Sequence, residues 1–212
     1  MANGRIVLLN GSSSAGKTTL AVTLQQLLDE PWHHIALDQF RDGMAGRFRG
    51  LNSPEGTPGA RGLNVVPVPA PDGAVTEVRF GDLGKQVLRG MRRAIAAFVR
   101  EGNNVIIDDL MFEPEFLFDY VDVLAEFRVL FVGVRCSLDV VNAREALRPG
   151  RFPGTATSHF HAVHRCALYD MEVDTSSSSP YECARLIVER LRAPDQPEAF
   201  QALRARMLDG AV

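Results

Sequence analysis

Arg5-Ile6-Val7-Leu8-Leu9-Asn10, followed by Gly11-Ser12-Ser13-Ser14-Ala15-Gly16-Lys17-Thr18, is the stretch that decides the fold. Its first half is a short apolar run without alternation, the pattern of a strand covered on both faces, as in a parallel sheet. Its second half matches G-x-x-x-x-G-K-[ST] in full. Beyond it, Leu20, Leu24, Leu27 and Leu28 recur at helical spacing until Pro31, which cannot continue a helix. Strand, glycine-rich loop and helix in that order form a phosphate cradle. Glycines let the backbone approach closely, and loop N–H groups and the helix N-terminus supply positive potential. Lys17 is expected to reach the β- and γ-phosphates, and Thr18 to offer its hydroxyl to Mg²⁺. Gly11 to Thr18, with Thr19, are therefore the expected nucleotide contacts, and ATP and Mg²⁺ the expected cofactors.

Working outward, His34 to Leu37 reads as a second strand ending at Asp38, and Asn104 to Ile107 as a third ending at Asp108 and Asp109. Arg128 to Val134 reads as a fourth, and Met171 to Val173 as a fifth ending at Asp174. Between them, Leu83 to Arg100 places Val87, Met91, Ile95 and Phe98 on one stripe, with Gly102 as its stop. Ser179-Pro180-Tyr181-Glu182 carries a capping box and a first-turn proline, starting a helix through about Arg192. The alternation predicts an α/β fold, a parallel five-stranded sheet flanked by helices, with ligands outside the carboxyl ends of the strands. Residues 1–212 are expected to form a single domain. Residues 41–80 break the pattern as a substrate-side insertion, with Pro71-Asp72-Gly73 turning a hairpin between Val65 to Val68 and Val75 to Phe80. Residues 193–212 read as an appended helix.

Phosphoryl transfer to an alcohol needs a group to take the hydroxyl proton, Mg²⁺ to bridge phosphate oxygens, and cations to hold the developing charge. Asp38 is the candidate base, with a helix N-cap as its alternative role. Asp108 stands where a carboxylate holds Mg²⁺ directly or through water, and Asp109 either shares that work or contacts substrate. Arg144, Arg148 and Arg151 are spaced four and three apart before and after Pro149-Gly150, so residues 148–160 read as a lid that brings arginines over ATP. His159, His161 and His164 lack a neighbouring carboxylate or cysteine to complete a metal set.

Bulk properties limit the partners. With 46% hydrophobic and 23% charged residues in 212, the chain has the composition of a globular protein. A net charge of −3 provides no global positive field for a nucleic-acid backbone or an anionic membrane. Cys136, Cys166 and Cys183 are an odd, scattered set, the usage of a reducing cytoplasm. No run approaches the roughly 20 apolar residues of a membrane span. The partner these features leave is a small molecule; the oligomeric state is not written in them.

The blocks Leu9 to Thr18, Glu30-Pro31-Trp32 with Asp38 after it, Ile106-Ile107-Asp108-Asp109, Val132-Gly133-Val134-Arg135-Cys136 and Tyr169 to Thr175 resemble the chloramphenicol phosphotransferase-like kinases, in order, from about residue 6 to residue 192. The resemblance implies ATP-dependent phosphorylation of a primary hydroxyl with Asp38 as base, and an adenine side lined by Asp174, Thr175 and the following serines, with Arg135 nearby. Chloramphenicol or a related antibiotic is one expected acceptor. A nucleoside or sugar nucleotide, in a toxin-type or metabolic kinase, serves the same motifs, and a non-catalytic nucleotide switch is the reading from another class. Departures from the family fall in the insertion and in Arg148-Pro149-Gly150-Arg151-Phe152-Pro153, which places substrate choice there.

Overall fold

A computed structural model describes residues 2–70, 73–148, 152–165 and 167–209. Ile6, Val7, Leu8 and Leu9 are wholly buried in β1 (Ile6–Asn10), as a strand with both faces covered requires. Four further strands complete the sheet: β2 (Trp32–Ala36), β6 (Asn104–Asp109), β7 (Val129–Arg135) and β8 (Met171–Asp174). Their order is β2-β6-β1-β7-β8 and every pairing is parallel. The loop after β1 thus emerges at the middle of the sheet's carboxyl edge, between the ends of β6 and β7.

Helices cover the two faces. On one lie α1 (Lys17–Leu27) and α8 (Pro180–Arg192), whose Leu20, Leu24, Cys183 and Ile187 pack on Val7, Leu9 and Val132. On the other lie α4 (Asp82–Arg100), α5 (Pro114–Leu124) and α9 (Ala199–Leu208), packed on Ile6, Leu8 and Phe131. Truncating any one of these buried leucines to alanine removes contacts worth about 2–5 kcal/mol. The α8 start is the predicted capping box: Ser179 Oγ accepts from the Glu182 N–H, and Glu182 Oε2 accepts from the Ser179 N–H. Gly102, at φ 88°, follows the last turn of α4 as the expected stop.

The structure departs from the sequence reading at several points. The second strand begins at Trp32 and ends at Ala36, and Leu37 and Asp38 open a short helix, α2 (Leu37–Asp42). Gln39 Oε1 accepts the Ala36 N–H at 3.1 Å, and Asp38 pairs with Arg41 one turn later, so local polar contacts win the chain from the sheet. The buried stripe of α4 is Leu88, Met91, Ile95 and Val99, with Val87 and Phe98 on its shoulders. The C-terminal helix is no appendage: Phe200 and Leu203 are wholly buried, and Asp170 accepts the Glu198 and Ala199 N–H groups to fix its start.

The insertion builds its own sheet. β4 (Leu63–Ala70) and β5 (Gly73–Phe80) form the expected antiparallel hairpin in register Leu63↔Phe80, although turn residues 71–72 lie outside the described residues. A short strand, β3 (Arg49–Leu51), adds parallel to β4, and α3 (Pro58–Arg61) links the two. The remaining helices, α6 (Leu138–Ala146) and α7 (Thr155–His159), lie between β7 and β8 in sequence, and α7 packs on β5. No described helix is long and apolar enough to cross a membrane.

Candidate active site

The loop Gly11–Lys17 has the shape its glycines predict. A Cβ on Gly11 would stand 2.4 Å from the Val134 carbonyl oxygen, and Gly16 caps α1 at φ 90°, so neither position tolerates a side chain without strain. Lys17 Nζ donates to the Gly11 and Ser12 carbonyls at 2.9 and 3.0 Å and stands 3.9 Å from Asp108 Oδ1. Thr18 Oγ1 donates to Asp108 Oδ2 at 2.6 Å. His34, on the adjoining strand, brings Nε2 to 3.7 Å from the same oxygen, beyond ordinary hydrogen-bond length. Burial alone would raise the Asp108 carboxyl. The His34 imidazole, the Lys17 ammonium and the Thr18 hydroxyl outweigh it and hold the group below its ordinary value, ionised at neutral pH. A hydroxyl and an ionised carboxylate in contact are hard oxygen donors that fit Mg²⁺, which takes few protein ligands and completes its shell with water and phosphate.

Asp109 does not join them. Successive strand residues point to opposite faces, and Asp109 points away from α1, under α5. Tyr120 donates its hydroxyl to Oδ2 at 2.7 Å, the Leu110 N–H donates to Oδ1 at 2.6 Å, and the buried Arg92 guanidinium lies close by. Asp109 nevertheless lines the phosphate-loop cavity beside Asp108, with its two carboxylate oxygens held by Leu110 and Tyr120.

Of the three arginines expected over ATP, Arg144, in α6, reaches the loop through Thr175. Its Nη2 and Nη1 donate to the Thr175 carbonyl and hydroxyl at 2.7 and 3.2 Å, and that hydroxyl donates to the Ala15 carbonyl at 2.7 Å. Arg144, Arg148 and Thr175 line a cavity of about 730 Å³ together with Lys17, Thr18, Thr19, Asp38 and Asp108. Arg151 lies outside the described residues. Arg135 and Asp174 do not line this cavity. Arg135 forks onto Glu172 at 2.9 and 2.5 Å, over the Tyr169 ring. Asp174 is a turn acid whose carboxyl is held below its ordinary value by the Ser176 side chain first and by the Ser176 N–H, which it accepts at 2.7 Å. Of the three residues expected on the adenine side, Thr175 lines this cavity.

A second cavity, of about 590 Å³, opens between the inserted sheet and α2. Leu63, Val65, Val78 and Phe80 give it an apolar wall, and Arg41, Asp42 and Arg49 a charged rim. Ser13, Leu37, Asp38, Leu110 and Arg148 line both cavities, so the two meet along a seam. Asp38 stands at that seam in the first turn of α2, half-exposed and paired with Arg41 at 2.7 Å. Two contributors were not legible as site residues beforehand: His34, which looked like the start of a strand, and His159, which accepts the Ser13 N–H at 3.3 Å. Only pairing between strands, and between α7 and the phosphate loop, reveals them. His164 instead contacts the Tyr169 hydroxyl at 2.6 Å, in a group that also holds Asn10.

Residues 4–192 match the family model described as chloramphenicol phosphotransferase-like protein. The chain belongs to that family. Among curated members of known sequence, the chloramphenicol phosphotransferase-like chain is similar to the Mycobacterium tuberculosis (strain H37Rv) protein named "Putative O-phosphotransferase Rv2636", at 35% identity over 98% of this chain and 91% of that relative. Among solved structures it is similar to the Mycobacterium tuberculosis APS kinase CysC in complex with AMPPNP and APS, with a TM-score of 0.64 at 15% identity, covering 91% of this chain and 100% of that one. A Sinorhizobium meliloti gluconokinase aligns with a TM-score of 0.53 at 16% identity over 98% and 95% of the two chains. The five-stranded parallel sheet is thus that of the P-loop kinases, and the family member described here is a phosphotransferase.

Proposed function

We propose that the protein uses ATP and Mg²⁺ to phosphorylate a hydroxyl group of a small molecule, with Asp38 as the general base. The observation that carries this reading is the seam: Asp38 and Arg148 line the phosphate-loop cavity and the insertion cavity at once. A nucleotide switch has no use for a second cavity open onto its phosphates. In the proposed reaction the acceptor oxygen gives its proton to Asp38 and bonds to the γ-phosphorus, while the bond from that phosphorus to the β,γ-bridging oxygen breaks and ADP leaves with the electron pair. Lys17, Arg144 and Arg148 hold the nucleotide and the charge spread over the transferring group. Mg²⁺, when bound at Thr18 and Asp108, neutralises charge on the β- and γ-phosphate oxygens.

The apolar wall of Leu63, Val65, Val78 and Phe80 favours an acceptor with an apolar body, such as chloramphenicol or a related antibiotic, over a sugar nucleotide. Buried free thiols at Cys136 and Cys183 suit a cytoplasmic setting. The test is incubation with ATP, Mg²⁺ and a panel of amphenicols, aminoglycosides, nucleosides and sugar nucleotides, scoring the added phosphate by mass. Asp38→Asn is expected to lose roughly 10²- to 10⁴-fold in transfer while still binding ATP. ATP turnover with no phosphorylated acceptor anywhere in the panel, or undiminished transfer by Asp38→Asn, would defeat the proposal.

A further inference from the structure

The segment from Phe152 to His159 ties the inserted sheet to the phosphate loop. At its start, Thr76 Oγ1 of β5 donates to the Pro153 carbonyl at 2.9 Å, and Gly154, at φ 76°, lies so near Val75 that a Cβ there would come within 2.9 Å of the Val75 Cα. In its middle, the buried Glu145 carboxylate accepts the Gly154 and Ala156 N–H groups, each at 2.9 Å, fixing the first turn of α7. At its end, His159 is 4% exposed, stacks on Phe112 with centroids 5.6 Å apart, and turns Nε2 to the Ser13 N–H at 3.3 Å. A ring nitrogen that accepts leaves its proton on the other nitrogen, and Ser158 Oγ stands 3.4 Å from Nδ1 to receive it. The sequence offers no motif for this contact; it arises because α7 folds back across the carboxyl edge of the sheet.

Ser13 lines both cavities, while its N–H is committed to His159 Nε2. Loop N–H groups act on phosphate only when their direction is set in advance. We propose that His159 is a positioning residue for phosphoryl transfer: by accepting the Ser13 N–H, its Nε2 holds that peptide and so fixes the loop where the two cavities meet, leaving the loop's other N–H groups to the phosphates, from a segment anchored on the inserted sheet. This rests on the kinase reading above. The consequence is a division of labour, in which Lys17 and the rest of the loop bind nucleotide and His159 orients the loop toward the acceptor.

Two substitutions separate this role from packing. His159→Phe keeps the ring stacked on Phe112 and removes the acceptor; His159→Gln keeps an acceptor oxygen at comparable reach and removes the ring. Transfer kinetics on a phosphorylated member of the panel, thermal unfolding, and the ¹⁵N–¹H resonance of Ser13 are measured for each in the full chain. The expected result is a kcat lowered about ten- to a hundredfold in His159→Phe, with KM for ATP and acceptor near the unaltered values, and recovery of most of that loss in His159→Gln. The Ser13 amide resonance is expected to move in His159→Phe more than in His159→Gln. Unaltered kcat or an unmoved Ser13 amide in His159→Phe overturns the proposal. So does the reverse ranking, with His159→Gln unstable and slow and His159→Phe normal, because that is the signature of packing. Transfer by no form of the protein, the unaltered one included, overturns the kinase reading first and this proposal with it.

Discussion

Asp109→Asn is the substitution that best separates the two neighbouring acids. The structure places two donors on the Asp109 carboxylate, the Tyr120 hydroxyl at 2.7 Å and the Leu110 N–H at 2.6 Å. An asparagine side chain has one carbonyl oxygen to accept with and an amide that donates, so one of those buried donors is left facing another donor, at about 1–3 kcal/mol. The buried Arg92 guanidinium loses an attractive neighbour too, but keeps Asp119 at 3.0 Å, so the full 3–5 kcal/mol of breaking a buried pair does not apply. Against both stands a relief. Burial pushes the Asp109 carboxyl up despite the pull of Arg92 and Tyr120, and an uncharged amide escapes that penalty. The balance is a destabilisation of about 2 kcal/mol, or roughly 4–8 °C in Tm for a chain of this size. The Mg²⁺ requirement of phosphoryl transfer should not change. Asp108→Asn is the counterpart. It removes a charge from the hydroxyl–carboxylate pair at Thr18, and transfer should fall by about 3 kcal/mol, on the order of 10²-fold, with a raised Mg²⁺ requirement. Thermal unfolding and Mg²⁺ titration of the initial rate on all three proteins decide the matter. An Asp109→Asn protein of unaltered Tm that needs more Mg²⁺ refutes the assignment.

Other expectations follow from single contacts. Arg144→Lys cannot reproduce the fork onto the Thr175 carbonyl and hydroxyl, and should weaken ATP binding by on the order of tenfold; unaltered affinity by calorimetry would remove Arg144 from the nucleotide site. Val78→Lys places a charge on the apolar wall of the insertion cavity, so acceptor KM should rise by about tenfold or more while ATP affinity stays put, and equal effects on both would show that this cavity does not take the acceptor. Burial, with Arg135 and Lys17 adding to it and Glu172 opposing, lowers the His164 imidazole from 6.5 to about 4. Between those pH values the unfolded chain binds the proton and the folded chain does not, so stability is fully present above the higher value and declines as pH falls toward the lower. Discounted for partial exposure, the decline is on the order of 1–2 kcal/mol. Denaturant titrations across this range should show it, and His164→Gln should flatten it; an unchanged slope in that variant would assign the effect to other groups.

The phosphate loop, the strand run before it and the capping box at Ser179 were legible because each is a local device whose physics lies within a few adjacent residues. The hairpin was legible for the same reason, through Pro71-Asp72-Gly73 between two β-branched runs. What was not legible shares an opposite cause. Asp109 sits next to Asp108 in the chain, and only the alternation of a strand between two different helical layers sends one to Thr18 and the other to Tyr120. Arg135 carries no local sign that Glu172 on the neighbouring strand claims it. The stripe on α4 was displaced because the packed face is chosen by the sheet, and helical periodicity leaves its rotation open by a residue.

From its sequence alone, this chain determines a nucleotide-binding α/β fold and the residues of the loop, since backbone conformation at Gly11 and Gly16 and the apolar run of β1 are decided by near neighbours. What only the tertiary structure decided is the meeting of two cavities at Asp38 and Arg148, and the approach of His34 to Asp108 and of His159 to Ser13. Those contacts join segments far apart in the chain. Their geometry depends on strand order and on how the insertion and α7 pack over the sheet edge, and no spacing along the sequence encodes it.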